Sequence, residues 1–157
     1  MTSTPIIRTA RVDDVARIVD LLDAGTLVPG KEDPSLLDHY VDALTEIAAD
    51  TRGGAVLVAE VDGLVVGVCQ LIVFRHVQER GRRCAEIESV HTHPDWRGQG
   101  VGGALIDAAV ERARATGCYR VQLTSNKARP DAHRFYGRHG FIATHEGFKR
   151  RLDEESA

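Results

Sequence analysis

The stretch HPDWRGQGVGGAL, His93 to Leu105, sets Gly98, Gly100, Gly102 and Gly103 between an alternating strand and an amphipathic helix. Glycine inside a helix costs about 1 kcal/mol relative to alanine, so concentrating it on a first helical turn answers some other need. The amides at a helix start have no partner within the helix, and the helix dipole makes that end positive. Removing side chains there lets an anion reach the amides, and the Arg97 guanidinium adds a rigid fork of donors suited to phosphate oxygens. A tight strand-to-helix turn alone needs one or two glycines. The fold must therefore deliver a strand into a helix across an open, anion-binding turn.

The rest of the chain reads as elements arranged around that turn. PIIRTA is a short strand. RVDDVARIVDLLDAG sets Val12, Val15, Ile18, Val19 and Leu22 on one helical face, with Gly25 as its stop. After the loop TLVPGKEDP, SLLDHYVDALTEIAAD is a second amphipathic helix with Ser35 as N-cap. Two apolar runs meet at Asp62-Gly63, a hairpin signal because that pair tolerates positive φ. HVQERGRR is a more basic turn. Alternation in CAEIESVHT puts Glu86, Glu88, Val90 and Thr92 on one strand face. The glycine-loop helix buries Leu105, Ile106, Ala109, Val110 and Ala113. YRVQLTS is a strand, PDAHRFYGRH a short helix ended by Gly140, and FIATHEGFKRRL a last strand. The order is β-α-α-β-β-β-α-β-α-β, a mixed α/β (α+β) architecture. Its sheet is largely antiparallel, and the two strands flanking the glycine-loop helix run parallel. No repeat or linker divides it, so residues 1–157 read as a single domain.

Which phosphate the turn holds is a question of motif. A P-loop needs Lys-Ser or Lys-Thr after its glycines, and none follows. Gly98, Gly100 and Gly103 spell GxGxxG, but Pro94 to Arg97 separate them from the strand, and no acid ends the next strand, VQLTSN, to hold a ribose. VHTHPDWRGQGVGGALI resembles the acetyl-coenzyme A signature of the GNAT superfamily of N-acetyltransferases, R/Q-x-x-G-x-G/A, with Arg97, Gly100 and Gly102 in its fixed places. TSNKARPDAHRFYGRHGF is similar to that family's C-terminal half-site, and within the family the run is most similar to acetyltransferases of aminoalkylphosphonates and related small amines.

The resemblance implies the GNAT-like acyl-CoA N-acyltransferase fold and direct transfer of acetyl from acetyl-CoA, a co-substrate, to a primary amine, most simply that of a small molecule. Such transfer needs a neutral amine, donors for the oxyanion and a proton for the leaving thiolate. Glu86 and Glu88 are the candidate bases, either acting through a water; salt bridges to Arg80, Arg82 or Arg83 are the plainer explanation. Tyr136 is implied as the acid, against an aromatic packing role. Val90, His91 and Thr92 are implied to offer backbone groups to the pantetheine arm as an added strand would. Arg97, Gly98, Gln99, Gly100, Val101, Gly102 and Gly103 form the diphosphate cradle. Asn126 is implied to bind the cofactor arm, though asparagine also favours turn caps. The family usually has valine where Thr92 stands, which leaves the backbone role untouched.

Two other functions fit the same cradle: a protein lysine or N-terminal acetyltransferase, and a non-catalytic acyl-CoA sensor. The sensor would not need Glu86, Glu88 and Tyr136. The acceptor pocket is assigned to TLVPGKEDP, the second helix and ERGRR. Those arginines suit an amine that also bears a carboxylate or phosphonate, and a solvated loop explains them equally.

At 43% hydrophobic and 27% charged, with a net charge of −3, the chain has an ordinary globular composition and no basic excess for nucleic acid. No apolar run reaches membrane-span length and MTSTPIIRTA lacks a signal-peptide pattern, so no membrane partner and a cytoplasmic location are expected. Cys69, Cys84 and Cys118 are an odd, widely spaced set without CxxC and read as inert thiols. The His91-His93 pair is read as incidental, and no metal is expected. The resemblance implies a homodimer. KRRLDEESA reads as a solvated tail.

Overall fold

The computed structural model describes residues 3–153. It comprises two compact units, the first running to Leu123 and the second from Thr124.

In the first unit, β1 (Ile6–Thr9) leads to α1 (Val15–Gly25) and α2 (Leu37–Ala48). Then come β2 (Ala55–Val61), β3 (Leu64–Arg75), β4 (Arg83–Thr92), α3 (Val101–Ala115) and β5 (Cys118–Leu123). The strands lie in the order β1-β2-β3-β4-β5, antiparallel except for the parallel pair β4–β5 that α3 connects. Asp62 and Gly63 turn the β2–β3 hairpin with φ of 50° and 81°, the two positive values a two-residue turn needs to follow strand twist. The basic turn between β3 and β4 is built from Glu79, Arg80 and Gly81, all left-handed at φ 52°, 60° and 69°.

Helices cover both faces of the sheet. Val15, Val19, Leu21 and Leu44, from α1 and α2, pack with Val56, Val58 and Val68 on one face. On the other, α3 buries Leu105, Ile106, Ala109 and Ala113. At Gly67 a side chain would collide with Leu105 and Val101, so glycine is what lets α3 lie close on β3.

Local sequence chemistry sets two helix starts differently from the sequence expectation. Val12 lies in a 3-10 turn, Val12–Asp14, and is exposed rather than part of the core stripe. At three residues per turn it falls off the face that the α-helical period assigns it, while Leu21 is buried. Asp14 anchors this turn. Its carboxylate accepts from the Arg11 N–H at 2.7 Å and from two Arg8 nitrogens at 2.7 and 2.9 Å. Ser35 is not the N-cap of α2. Asp33 accepts from the Ser35 N–H at 2.9 Å, capping a 3-10 turn over Pro34–Leu36, and α2 begins only at Leu37.

In the second unit, α4 (Pro130–Arg138) ends as expected at Gly140. There φ is 83°, Phe141 N–H bonds the Tyr136 carbonyl and Gly140 N–H bonds that of Gly137, the paired bonds of a Schellman stop. The expected last strand is absent: residues 141–152 form neither strand nor helix. The Thr144 N–H bonds the Ile142 carbonyl two residues back at 3.0 Å, a tight turn at Ala143 that breaks the extended run. Of the expected solvated tail, residues 149–153 are exposed and irregular, and 154–157 lie outside the described residues.

Candidate active site

The site is organised by an irregularity in β4 that alternation cannot reveal. Gln70 pairs with Glu88 and Val68 with His91, so two steps along β3 match three along β4. The extra residue is accommodated at Ser89, left-handed at φ 54°. This bulge resets the side-chain parity. Glu86 and Glu88 keep to the face of Ile72 and Gln70, whereas Thr92 pairs with Gly67 on the α3 face. Val90 and Thr92 therefore do not share the face of the two glutamates, contrary to plain alternation. His91 does share it, and its ring packs against the end of α1. A Cβ built on Gly25 would lie 1.9 Å from His91 Nδ1. Gly25 is the last residue of α1, and it also makes room for His91.

The two parallel strands part company near the bulge. Pairing between β4 and β5 runs from Arg83–Cys118 to Ile87–Leu123 and stops, while β4 continues to Thr92. Beyond Ile87, the β5-side edge of β4 carries no strand partner among the described residues. Backbone groups on such an edge can pair with an extended ligand.

At the end of β4 the chain enters a short 3-10 turn, Pro94–Trp96, and then the glycine loop. Arg97 Nε donates to the Thr92 carbonyl at 3.3 Å, and Gln99 Nε2 to that of Asp95 at 2.8 Å, pinning the loop from both sides. Gly98 and Gly100 have φ of 72° and 83°, and a Cβ on either would meet nothing within 4 Å. They are therefore required for backbone conformation over open space, not for packing. Ala104 N–H makes the first bond of α3, to the Gly100 carbonyl at 2.9 Å. The amides just ahead of it have no carbonyl of the helix to bond, so the turn presents donors at the positive end of a helix of 15 residues.

Glu86 is half-buried, and its Oε2 accepts from Gln122 Nε2 on β5 at 3.0 Å. Gln122 is oriented in turn, since its Oε1 accepts from Arg120 at 2.9 Å. An arginine only donates, so the amide must turn its NH2 toward Glu86. Glu88 is also half-buried, directly across the ladder from Gln70. Beside it, α1, α2 and the sheet line an open-sided cavity of about 150 Å³. Leu22, Leu44, Ile47, Val56 and Val68 line it, with Tyr40, Gln70 and Ser89 as its polar members. Of the segments expected to form an acceptor pocket, only the second helix contributes to this wall.

In the second unit, Asn126 Oδ1 accepts from the Ala128 N–H at 2.8 Å, so its acceptor is engaged in a turn cap. The Asn126 carbonyl meets His133 Nε2 at 3.0 Å. Tyr136 is half-buried on α4, edge-on to Phe135 and Phe141 with ring centroids 5.2 and 6.0 Å away. Cys69 and Cys84 are buried, and burial pushes the Cys69 thiol up to about 12, which leaves it without thiolate character at neutral pH.

The site roles of Gly25, Gln70, Ser89 and Gln122 escape sequence reasoning because each acts through a tertiary contact, a pairing or a positive φ that no local pattern announces. Gln122 had a partial signal, an amide flanked by alternating residues on the strand after the glycine-loop helix.

The chain is similar to known proteins over most of its length. The chain is 36% identical over 152 residues to a glucosamine 6-phosphate N-acetyltransferase of Trypanosoma brucei brucei, covering 87% of this chain and 99% of that protein. It is 36% identical over 91 residues to an aminoalkylphosphonate N-acetyltransferase of Salmonella typhimurium, a match spanning 58% of each. A crystal structure described as a transcriptional regulator from Bacillus halodurans superposes with a TM-score of 0.87 at 38% identity, covering 95% of this chain and 100% of that one. Residues 18–141 match the Acetyltransferase (GNAT) family, and with a mixed five-stranded sheet that carries a glycine-opened helix after β4, the chain belongs to that family of N-acetyltransferases.

Proposed function

We propose that this protein transfers acetyl directly from acetyl-CoA to the primary amine of a small molecule. The observation that carries the reading is the loop at Gly98–Gly103, whose left-handed glycines leave open space in front of helix-start amides. The donor set fits a diphosphate: neutral amides, a helix N-terminus and the Arg97 guanidinium. Val101, Gly102 and Gly103 open α3, and Gln99 braces the loop. The stretch of β4 from Val90 through His91 to Thr92, past the end of its pairing with β5, suits the pantetheine arm, with backbone N–H as oxyanion donor. Asn126 is assigned to the same cofactor. The GNAT match runs from residue 18 to 141 across both units, which supports reading the chain as one N-acetyltransferase domain.

In the reaction, the amine nitrogen attacks the thioester carbonyl; the C–N bond forms and the C–S bond breaks. Glu86 or Glu88 takes the proton the amine loses, directly or through a water, and Tyr136 supplies one to the departing thiolate sulfur. Gln122 holds the Glu86 carboxylate in place. No covalent enzyme intermediate is required.

A thiol-release assay with acetyl-CoA over amino acids, arylalkylamines, aminophosphonates, polyamines, aminoglycosides and peptides with a free N-terminus or lysine tests the reading. Turnover on a small amine supports it. Tight binding of acetyl-CoA without turnover on any small amine favours the sensor, and turnover only on peptides favours the protein acetyltransferase.

A further inference from the structure

We propose that the cavity between α1, α2 and the sheet holds the body of the acceptor, and that this body is uncharged and hydrophobic, about the size of a benzene ring or a branched five-carbon chain. The inference rests on the reading above, in which Glu86 or Glu88 takes the proton that the amine loses.

Position comes first. Ser89 belongs to the bulge and also lines the cavity, and Gln70, another lining residue, faces Glu88 across the ladder. The cavity therefore abuts a candidate base. An amine joined by a short methylene linker to a group in this cavity has its nitrogen on the side of that base.

Chemistry comes second. The wall contains no lysine, arginine, histidine, aspartate or glutamate. Of its two hydroxyls, that of Tyr40 is already engaged: it donates to Glu32 at 2.9 Å and accepts from the Asp33 N–H at 3.0 Å, which leaves that of Ser89. A phosphate or phosphonate placed here would lose its hydration with no cation to replace it, a large penalty. Ile18, Leu22 and Leu44 instead offer apolar surface. A cavity of this size lined by aliphatic residues accommodates benzene in other proteins. The relatives named above act on a sugar phosphate and on aminoalkylphosphonates; this wall is built for a different acceptor.

The test uses the full chain. With saturating acetyl-CoA, kcat/KM for phenethylamine and isoamylamine is expected to exceed that for 2-aminoethylphosphonate and glucosamine 6-phosphate by at least a hundredfold. Calorimetric titration of phenethylamine into the protein, with and without coenzyme A, reads the pocket independently of turnover. Ala43→Phe, at the exposed rim of the cavity, is expected to weaken phenethylamine binding at least tenfold while coenzyme A affinity stays unchanged. Ile47→Ala widens the cavity and is expected to shift preference from isoamylamine toward 3-phenylpropylamine. Equal or better use of the anionic amines, absence of phenethylamine binding, or indifference of that binding to both substitutions would overturn the inference. Failure of acetyl-CoA itself to bind would overturn the transferase reading instead, and phenethylamine calorimetry would still decide the pocket.

Discussion

Glu86 and Asp14 are both carboxylates held by named partners, and their partners give them opposite uses. Glu86 is half-buried and held by a neutral amide, Gln122, which orients the carboxylate without committing its charge to a cation. Glu86→Gln is expected to lower kcat at least a hundredfold, and Gln122→Leu less, with KM for acetyl-CoA little changed in either; steady-state kinetics across both substrates check this. Tyr136→Phe should likewise depress kcat far more than it raises KM for acetyl-CoA, as for a group acting in the transition state. Asp14, in contrast, is a structural anion. The Arg8 guanidinium holds its carboxyl below the ordinary carboxylate range, helped by the Arg11 N–H. A depressed folded value contributes stability above the unfolded value near 3.9, and that contribution is lost as pH falls through the folded one. Asp14→Asn is expected to cost about 2 kcal/mol at pH 7, with the gap to the wild type closing as pH falls through the depressed folded value; urea unfolding at a series of pH values measures it. Glu86 and Glu88 are singled out by their place on the strand before the glycine loop together with the family resemblance, and Tyr136 by the resemblance of its helix run. Gln122 is not, because its role is a pairing across β4 and β5.

Elements carry their own lesson. The glycine loop is legible because helix-start glycines are expensive and therefore conspicuous, and the structure adds why Gly98 and Gly100 in particular are needed: both are left-handed. A side chain at Gly100 strains the backbone whatever space surrounds it, so Arg97→Ala is the cleaner probe. It is expected to weaken coenzyme A binding about tenfold by calorimetry, in line with losing one charge-assisted contact, and to leave the unfolding midpoint near that of the wild type. Alternation along CAEIESVHT gives a strand correctly and a wrong face for its second half, because Ser89 adds a residue that only the pairing with β3 exposes. Gly25 reads as a helix stop, and the space it leaves for His91 is a contact between residues far apart in sequence. Gly25→Ala is expected to cost about 1–3 kcal/mol through the forced displacement of the ring. In a His91→Ala background the cost should largely vanish, a coupling that a double-mutant cycle in urea reads directly.

At the scale of the whole chain, element order and the parallel β4–β5 pair follow from hydrophobic period and turn chemistry, because long periodic segments leave few ways to bury their apolar faces. The segment 141–152 shows where that logic ends. It reads as a last strand after the Gly140 stop, yet a local bond at Ala143 turns the chain, and sequence pattern is blind to such a bond. The apolar cavity beside Glu88 is also invisible beforehand, since its wall is assembled from α1, α2, β2, β3 and the bulge. All of the functional account depends on one physical statement, that the exposed amides opening α3 grip the coenzyme's diphosphate. Amide chemical-shift mapping during titration with coenzyme A tests it most directly. The amides of Gly98 to Gly103 are expected to show the largest saturable shifts, all following one binding curve. Binding that leaves those amides unmoved, with the largest shifts elsewhere, would contradict the account.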